Sequence, residues 1–460
     1  MSTGTAEKIQ IHKISLTSEK FKEGKEVLLA SPNQDPVAIE FNIYEHINLP
    51  YLTGSIQIND DNDIFRSLNL DGTERITIEF RMPLEEYDIF SKTFVVTNIQ
   101  AIKSNDYSSL LSLSLMDETG FYDRINKVSR HYEGTGERMI ELMLADILGK
   151  KLFTSTPAHF KPSSPNVSSY IVPYQTCFDS VNHIKNRMHT VNGMPYFCHA
   201  SIATDDLVLT DLESIFERGA FNKGKPFIFS QASTNNPKKD LRSEIFNINT
   251  HSSGIIEDTL NLSLKGGLGS RYTYINPTQG TADNNRIDIL KHFDLLTGYG
   301  IIKEDQAEPL VNKFFVPDPS GNDTRTLSDY DANVSVELAT STNPVNPGPL
   351  NYTEYTSSFE YELHLIKNAI LSHLDKTKYT INLPGMAFLF KDVKTSVGNL
   401  IEVEVFKNID RNNPNIIDEK KSGEYVILTK RHSVDVAAEN HIVSMDISRL
   451  TNTNRTLGGI

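Results

Sequence analysis

Hydrophobic and polar residues alternate with a period of two through most of residues 1–120. The run 75–82 alternates cleanly, and leucines alternate with serines over 111–115. Turn-forming pairs such as Asp71-Gly72 lie where strands of this kind would end. A period of two is typical of strands with one buried and one solvated face, so this segment is predicted to form an antiparallel β module, a barrel or split barrel.

A helical period replaces this alternation at three places along the chain. In each, apolar residues recur three and four positions apart and form one stripe. The helices are predicted near 140–147, from Thr176 onward, and over 359–374. The third is preceded by Ser357-x-x-Glu360, a capping-box pattern that marks a helix start.

Strand patterns return in the second half of the chain. They include 227–230, the alternating leucines of 260–264, and 401–405, where apolar residues alternate with glutamates. The stretch 275–356 is instead rich in Asn, Pro, Gly, Ser and Thr. It is predicted to be a long loop-rich insertion with one or two weak strands, and long loops of this kind are usually functional or mobile.

The two ends of the chain are alike in outline. An alternating strand follows Gly72, and the last strand of that group ends at Asp117. Another alternating strand follows Gly398, and its group closes with a strand that contains Asp446. One interpretation is a duplicated β module. The other is that unrelated antiparallel sheets converge on similar patterns.

Composition narrows the class of protein further. The chain has 460 residues, 38% of them hydrophobic and 23% charged, which is typical of a globular protein. We expect neither a membrane-spanning segment nor a secretory signal, and the two cysteines, Cys177 and Cys198, favour synthesis in a reducing cytoplasm. The net charge of −14 argues against a surface that binds DNA, although it is compatible with a channel that DNA slides through.

Motifs that would carry catalysis or bind a metal fail on spacing or context. The run 219–225 has P-loop spacing, but Pro226 occupies the position of the Mg²⁺-binding Ser or Thr, and a strand instead of a helix should follow. The Cys/His cluster lacks the close ligand pairs that place two side chains on one zinc. This cluster consists of Cys177, His183, His189, Cys198 and His199. No cofactor or metal is therefore expected.

A carboxylate cluster at Glu85, Glu86 and Asp88 is the one feature that a glycosidase could use. Glycosidase carboxylates come from separate strands at a fixed separation, which a sequence does not reveal. A solvated turn is the ordinary interpretation of this cluster. We therefore expect no catalytic residue and a protein that is not an enzyme.

Three local runs, in this order, resemble the baseplate hub protein of contractile-tailed (T4-type) bacteriophages. The run 43–60, followed by Gly72-Thr-Glu-Arg-Ile-Thr-Ile, is similar to the opening strands of the first tube-like domain of that family. The run 173–198 is similar to its helix-then-strand connecting unit, and 359–449 to the end of its second tube-like domain. Each run is loose, and the order carries the resemblance. The Asn/Pro-rich stretch 297–356 departs from the family pattern.

The resemblance implies a mainly β fold with α+β parts. Two tube-like antiparallel β-barrel modules would be joined by a small helix-containing domain and a long insertion. The expected domains are a first barrel at 1–120, a connecting α+β domain at 121–217, a second barrel at 218–274 and 357–450, the insertion at 275–356 and a polar tail at 451–460.

In function, the resemblance implies a homotrimeric structural hub. Six β modules from three chains would match the sixfold tail tube above to the threefold central spike below and line the DNA channel. Expected partners are the spike protein, the tail tube or tube-initiator protein, the tape measure and baseplate wedge proteins, and phage DNA that passes without specific binding. The expected location is the tail baseplate of the virion, assembled in the host cytoplasm.

Acidic side chains facing the channel would repel the DNA backbone and let the genome pass. The candidates are Glu74, Glu79, Glu402 and Glu404. Two alternatives remain within the same class, the tail-tip hub of a non-contractile tail and that of a phage-derived injection machine. From other classes, a cell-wall or polysaccharide hydrolase would use carboxylates such as Glu85 or Asp88. A carbohydrate-binding adhesin is disfavoured because the chain lacks tryptophan.

Overall fold

The structure is a computed structural model, and the protein is mainly antiparallel β sheet. The described residues are 7–21, 26–32, 34–61, 67–81, 89–104, 109–153, 168–229, 245–253, 259–277, 279–298, 315–317, 324–326, 330, 332–338, 350–351, 357–376, 378–387, 393–406, 417–418 and 421–450.

The strands are β1 Gln10–Thr17, β2 Val27–Ala30, β3 Ala38–His46, β4 Thr53–Asp60, β5 Arg75–Arg81, β6 Phe90–Ser104, β7 Ser109–Asp117, β8 His131–Gly134, β9 Leu152–Phe153, β10 Ser168–Ile171, β11 Tyr196–Ala200, β12 Leu207–Asp211, β13 Phe227–Phe229, β14 Thr250–Ser253, β15 Gly269–Asn276, β16 Thr281–Asp288, β17 Phe315–Pro317, β18 Thr324–Thr326, β19 Val334–Leu338, β20 Leu350–Asn351, β21 Lys378–Pro384, β22 Leu400–Val405, β23 Gly423–Asp435 and β24 Asn440–Ser448. The α-helices are α1 Glu118–Ile125, α2 Gly136–Met143, α3 Cys177–Arg187, α4 Leu212–Arg218, α5 Thr259–Leu264, α6 Ile289–Gly298 and α7 Ser358–Lys376. A π-helical turn, Leu144–Leu148, continues α2, and short 3-10 turns occupy Gly385–Ala387 and Val393–Thr395.

One sheet of 13 strands contains both predicted β modules. In the first module the strand order is β3-β4-β7-β6-β5-β1, with β2 beyond β1. In the second module the order is β14-β21-β24-β23-β22-β13. The six strands of each module occur in the same sequence order and the same sheet order. The outer pair is the exception, because β1 runs antiparallel to β5 whereas β13 runs parallel to β22.

The two modules also share a backbone hydrogen bond where β5 and β22 begin. The Val96 amide donates to the Glu74 carbonyl at 2.8 Å, and the Ile427 amide donates to the Asn399 carbonyl at 3.0 Å. In each module a β-bulge follows immediately in the long strand, β6 or β23. Because a bulge bends a strand at a fixed place, the shared bond and bulge align the two modules residue by residue.

A glycine with positive φ precedes each of these starts, with φ of 88° at Gly72 and 72° at Gly398. This is the left-handed region, where a residue with a Cβ is strained. The two glycines are nevertheless not at equivalent positions, because Gly72 lies two residues before Glu74 whereas Gly398 lies one residue before Asn399.

The hairpin β23–β24 belongs to both modules. β23 pairs with β22 of the second module at its base and with β3 of the first module over its far half. β24 pairs with β21 of the second module along most of its length. At the tip, the Ile9 amide donates to the Glu439 carbonyl at 3.0 Å and the His441 amide donates to the Glu7 carbonyl at 2.6 Å. The tip thus closes the first barrel. Its Val434 is buried in the core of that module.

Short helices connect the barrels, and two of the predicted helices lie here. α2 with its π turn covers the stripe that begins at Ile140, and α3 begins after Thr176, whose hydroxyl accepts the Asp179 amide. Side chains of α2 and α3 join the core of the first module. Leu212 and Ile215 of α4 join the core of the second. The connecting segment therefore packs against both barrels, with α2 and α3 against the first and α4 against the second.

The third predicted helix is α7, and the Ser357 hydroxyl accepts the Glu360 amide at 3.2 Å as the capping box requires. The strand predicted over 260–264 is wrong, because these residues form α5. Leu262 is 2% exposed while Leu260 and Leu264 are largely exposed. Alternation over so few residues fits a single helical turn as well as a strand, and packing beside α7 decides for the helix.

Candidate channel and subunit surfaces

Two of the four acidic candidates occupy equivalent positions. Glu79 lies five residues after Glu74, and Glu404 lies five residues after Asn399, the two residues that make the shared backbone bond. Both glutamates alternate with buried neighbours, so their side chains point away from the barrel cores with intermediate exposure. A duplicated module therefore presents one glutamate twice, in corresponding places.

Glu402 lies on the same outward face as Glu404. Directly opposite on β23 is Glu424, so that two carboxylates face each other across the ladder. Like charges in such a pair are destabilising unless other groups compensate. The Glu402 carboxylate accepts the Gly224 amide at 2.8 Å, and Asn222 bonds both the amide and the carbonyl of Glu402. The face of β22 and β23 is thus acidic, and Glu424 adds to the acidic residues anticipated there.

Glu74 differs from the other three candidates, because its side chain is 1% exposed. Its carboxylate accepts the Asp71 amide and the Gly72 amide, each at 2.9 Å. The charge holds the turn that leads into β5 and is not presented to solvent.

A buried ion pair lies where the two modules meet. Lys430 Nζ of β23 is 3.2 Å from a Glu45 carboxylate oxygen of β3, and the two side chains are 1% and 0% exposed. The same carboxylate accepts the Ile202 amide at 3.0 Å and the Val397 amide at 3.4 Å. Lys430 also donates to the Thr395 carbonyl at 3.1 Å. Glu45 therefore joins both modules and the connecting segment at one point.

The sequence contained a signal for this pair. Glu45 lies on the buried face of β3, at alternate positions with Phe41 and Ile43. Lys430 lies likewise on the buried face of β23, at alternate positions with His432 and Val434. A charged residue at a core position of a strand is rarely left unpaired, because burying a lone charge is very unfavourable. The alternation along both strands is therefore a signal that could have pointed to Glu45 and Lys430 as a buried pair.

The structure also tests the motifs considered for catalysis. α4 precedes the run 219–225 and β13 follows it, which is the reverse of the P-loop arrangement. Among the described residues no group of three His, Cys, Asp or Glu side chains is arranged to hold a metal ion. Both cysteine thiols are buried, and burial raises the pKa of Cys198 to about 11. Glu85 and Asp88 of the hydrolase alternative lie outside the described residues.

A cleft of about 650 Å³ lies between β6 and the connecting segment. Several of its charged groups form hydrogen bonds within the cleft. Lys92 donates to the Asp205 carboxylate at 2.6 Å, and Lys150 donates to the Asp205 carbonyl at 3.0 Å. Asp117 at the cleft accepts the amides of Leu52 and Gly120. The contact between Lys92 and Asp205 joins the first barrel to the connecting segment, and none of the named groups is placed as a nucleophile beside a base.

Comparison with known proteins gives a likeness of fold. No protein-family model matches the sequence, and a search of curated proteins finds no similar sequence. In the part of the chain that the structure describes, no helix is long and apolar enough to cross a membrane.

Solved tail proteins are similar over nearly the whole chain. The 43 kDa tail protein of prophage MuSo2 from Shewanella oneidensis matches at 10% identity and a TM-score of 0.51, covering 95% of this chain and 98% of that one. A tail protein from Neisseria meningitidis matches at 13% identity and a TM-score of 0.48, covering 95% and 96%. The protein thus has the fold of a prophage tail protein.

Proposed function

We propose that this protein is a structural, non-enzymatic component of a phage-type tail, the hub at the centre of its baseplate. The observation that carries the proposal is the pair of β modules with one strand order, joined head to tail in a single sheet. The fold shared with the MuSo2 tail protein supports the same assignment.

The hub would be a homotrimer. Three chains with two modules each present six similar units to a sixfold tail tube while keeping threefold symmetry for a central spike. Contacts in such a ring are heterologous, with one patch on a chain meeting a different patch on the next. The tail tube or tube-initiator protein and the spike protein are the proposed neighbours, with the tape measure and baseplate wedge proteins further out. The location would be the tail baseplate of the virion, after assembly in the host cytoplasm.

The channel of this ring would carry phage DNA without binding it. Because Glu79 and Glu404 are equivalent, a trimer arranges them as six carboxylates at one level. Glu402 and Glu424 add charge beside Glu404. A negative ring repels phosphates and lowers DNA adhesion.

A tail-tip hub of a non-contractile tail, or of a phage-derived injection machine, would use the same fold and symmetry. A cell-wall or polysaccharide hydrolase is the alternative from a different class. The turbidity of a bacterial cell-wall suspension separates the classes, because a hydrolase clears it and a hub leaves it cloudy.

The proposal is tested by the native mass of the purified protein, alone and co-expressed with the neighbouring tail genes. We expect a species of three chains, or of three chains with a trimeric spike. A single-chain mass with every neighbour present would contradict the hub.

A further inference from the structure

The two modules of one chain contact each other through a pairing of strands. The far half of β23 pairs antiparallel with β3, from Thr429 opposite His46 to Asp435 opposite Glu40. In the alignment of the modules, β6 corresponds to β23 and β14 corresponds to β3. A second junction of this kind would therefore need the far half of β6 and the outer edge of β14.

The far half of β6 has an open edge. The ladder between β6 and β5 ends at Val95, and the Val96 amide still donates to the Glu74 carbonyl. Beyond Val96 the described residues provide a strand partner on the β7 side alone. Side chains at Thr97, Asn98, Gln100 and Ala101 are exposed. Their counterparts on β23 are Leu428, Thr429, Arg431 and His432. The last three of these pair with β3, and Leu428 and His432 are buried. The same strand half is thus paired with β3 in one module, and in the other it has no such partner among the described residues.

The outer edge of β14 is open in the same sense. β14 pairs with β21 and ends the order of strands in the described sheet. Its counterpart β3 has β4 on one side and β23 on the other. Unpaired N–H and C=O groups along a strand edge form a ready template for another strand.

We propose that the far half of β6, Thr97–Ser104, pairs antiparallel with β14, Thr250–Ser253, of a second copy of this chain. This inference rests on the proposed ring and specifies its contact. The residue alignment puts Ala101 in the place of His432 and Ser253 in the place of Ile43, which face each other within the chain. Ala101 of one copy therefore lies opposite Ser253 of the next.

The junction within a chain and the proposed junction between chains would have the same geometry. Each module would therefore be related to the next by the same rotation. Each chain contributes one open β6 edge and one open β14 edge, as a heterologous ring requires. Closure pairs both edges in every copy and removes the risk that exposed edges bring to a free chain.

The inference is tested by disulfide trapping in the full chain with Ala101→Cys and Ser253→Cys together. Directly opposite residues of an antiparallel pair have Cα atoms about 4.5–5.5 Å apart, within the range that a disulfide spans. After mild oxidation we expect covalent dimers and trimers on a non-reducing denaturing gel. The native cysteines are buried and contribute little background.

Matched controls separate this pair from chance contacts. Ser91→Cys with Ser253→Cys places the first thiol on the half of β6 that already pairs with β5, and this pair should stay uncrosslinked. Each single-cysteine variant should also stay monomeric on the gel. A native trimer without trapping at Ala101 and Ser253, or with equal trapping in the Ser91 control, would overturn the strand assignment and leave the hub intact. A native mass of one chain would contradict both proposals.

Discussion

At the scale of single residues, the notable feature is a charge pair at core positions of two strands. Glu45 and Lys430 lie where alternation requires apolar side chains, and each is buried. A buried ion pair is weak evidence of net stability, because desolvation offsets much of the attraction. Its geometry nevertheless specifies one arrangement, since Glu45 bonds to three different parts of the chain. We interpret the pair as a device that sets how the modules join.

Removal of one partner should therefore be strongly destabilising. Lys430→Met leaves the Glu45 carboxylate buried without its cation, and we expect a loss of about 3–5 kcal/mol in the free energy of unfolding measured with urea. As a matched control, Glu118→Gln breaks the ion pair with Arg75, whose side chains are 41% and 44% exposed. That variant should lose less than about 1 kcal/mol. Equal losses in the two variants would refute the role given to Lys430.

At the scale of elements, the hairpin β23–β24 holds the molecule together. It completes the second barrel at its base and the first barrel at its tip. Across it, His432 Nδ1 and His441 Nε2 are 3.0 Å apart, and both rings are buried. The pKa of His441 is lowered to about 3 and that of His432 well below 6.5, mainly by burial and in smaller part by the nearby Lys430 ammonium.

These depressed pKa values predict acid sensitivity. In the unfolded chain both imidazoles take up protons below about pH 6.5, whereas in the folded chain they stay neutral, so stability falls as the pH drops. Each ring contributes a slope of up to about 1.4 kcal/mol per pH unit. We expect His441→Asn to flatten the dependence of the urea midpoint between about pH 6.5 and 5.

The control for this measurement is His131→Gln, whose imidazole is exposed. It should leave the pH dependence of the urea midpoint as it is in the wild type. An unchanged dependence in His441→Asn would mean that other buried groups, such as His199 with its pKa lowered to about 4 by burial, account for the acid sensitivity.

At the scale of the whole molecule, the repeated module would place equivalent residues around the proposed ring. A hub of three chains would multiply Glu79 and Glu404 into six equivalent charges. These carboxylates would repel the DNA backbone where it passes, in a chain whose net charge is −14.

Reversal of these charges should create DNA binding. In a trimer with Glu79→Lys and Glu404→Lys, six ammonium groups replace six carboxylates, and we expect retention of duplex DNA at about 50 mM salt that is lost near 200 mM, because phosphate contacts release counterions. The control is Glu133→Lys with Glu141→Lys, the same charge change at exposed sites of β8 and α2. Equal DNA binding by the control, or a trimer structure with Glu79 and Glu404 on its outside, would refute the channel assignment.

The sequence by itself determined the local structure wherever the pattern was long. Alternation identified the strands around 75–82 and 401–405, and apolar stripes with caps identified α2, α3 and α7. It also indicated the likeness of the two ends, because each has a glycine shortly before an alternating strand. These are consequences of side-chain periodicity and backbone sterics, which act between near neighbours.

Tertiary structure alone decided which partners those elements take. Residues 260–264 became a helix because of what they pack against, and Glu74 proved to hold a turn because two amides point at it. The division of β23–β24 between two barrels, and the bare edge of β6 that matches it, depend on strands far apart in the chain. Pairing between distant strands follows from how the whole core closes, and periodicity along one strand does not encode its neighbour.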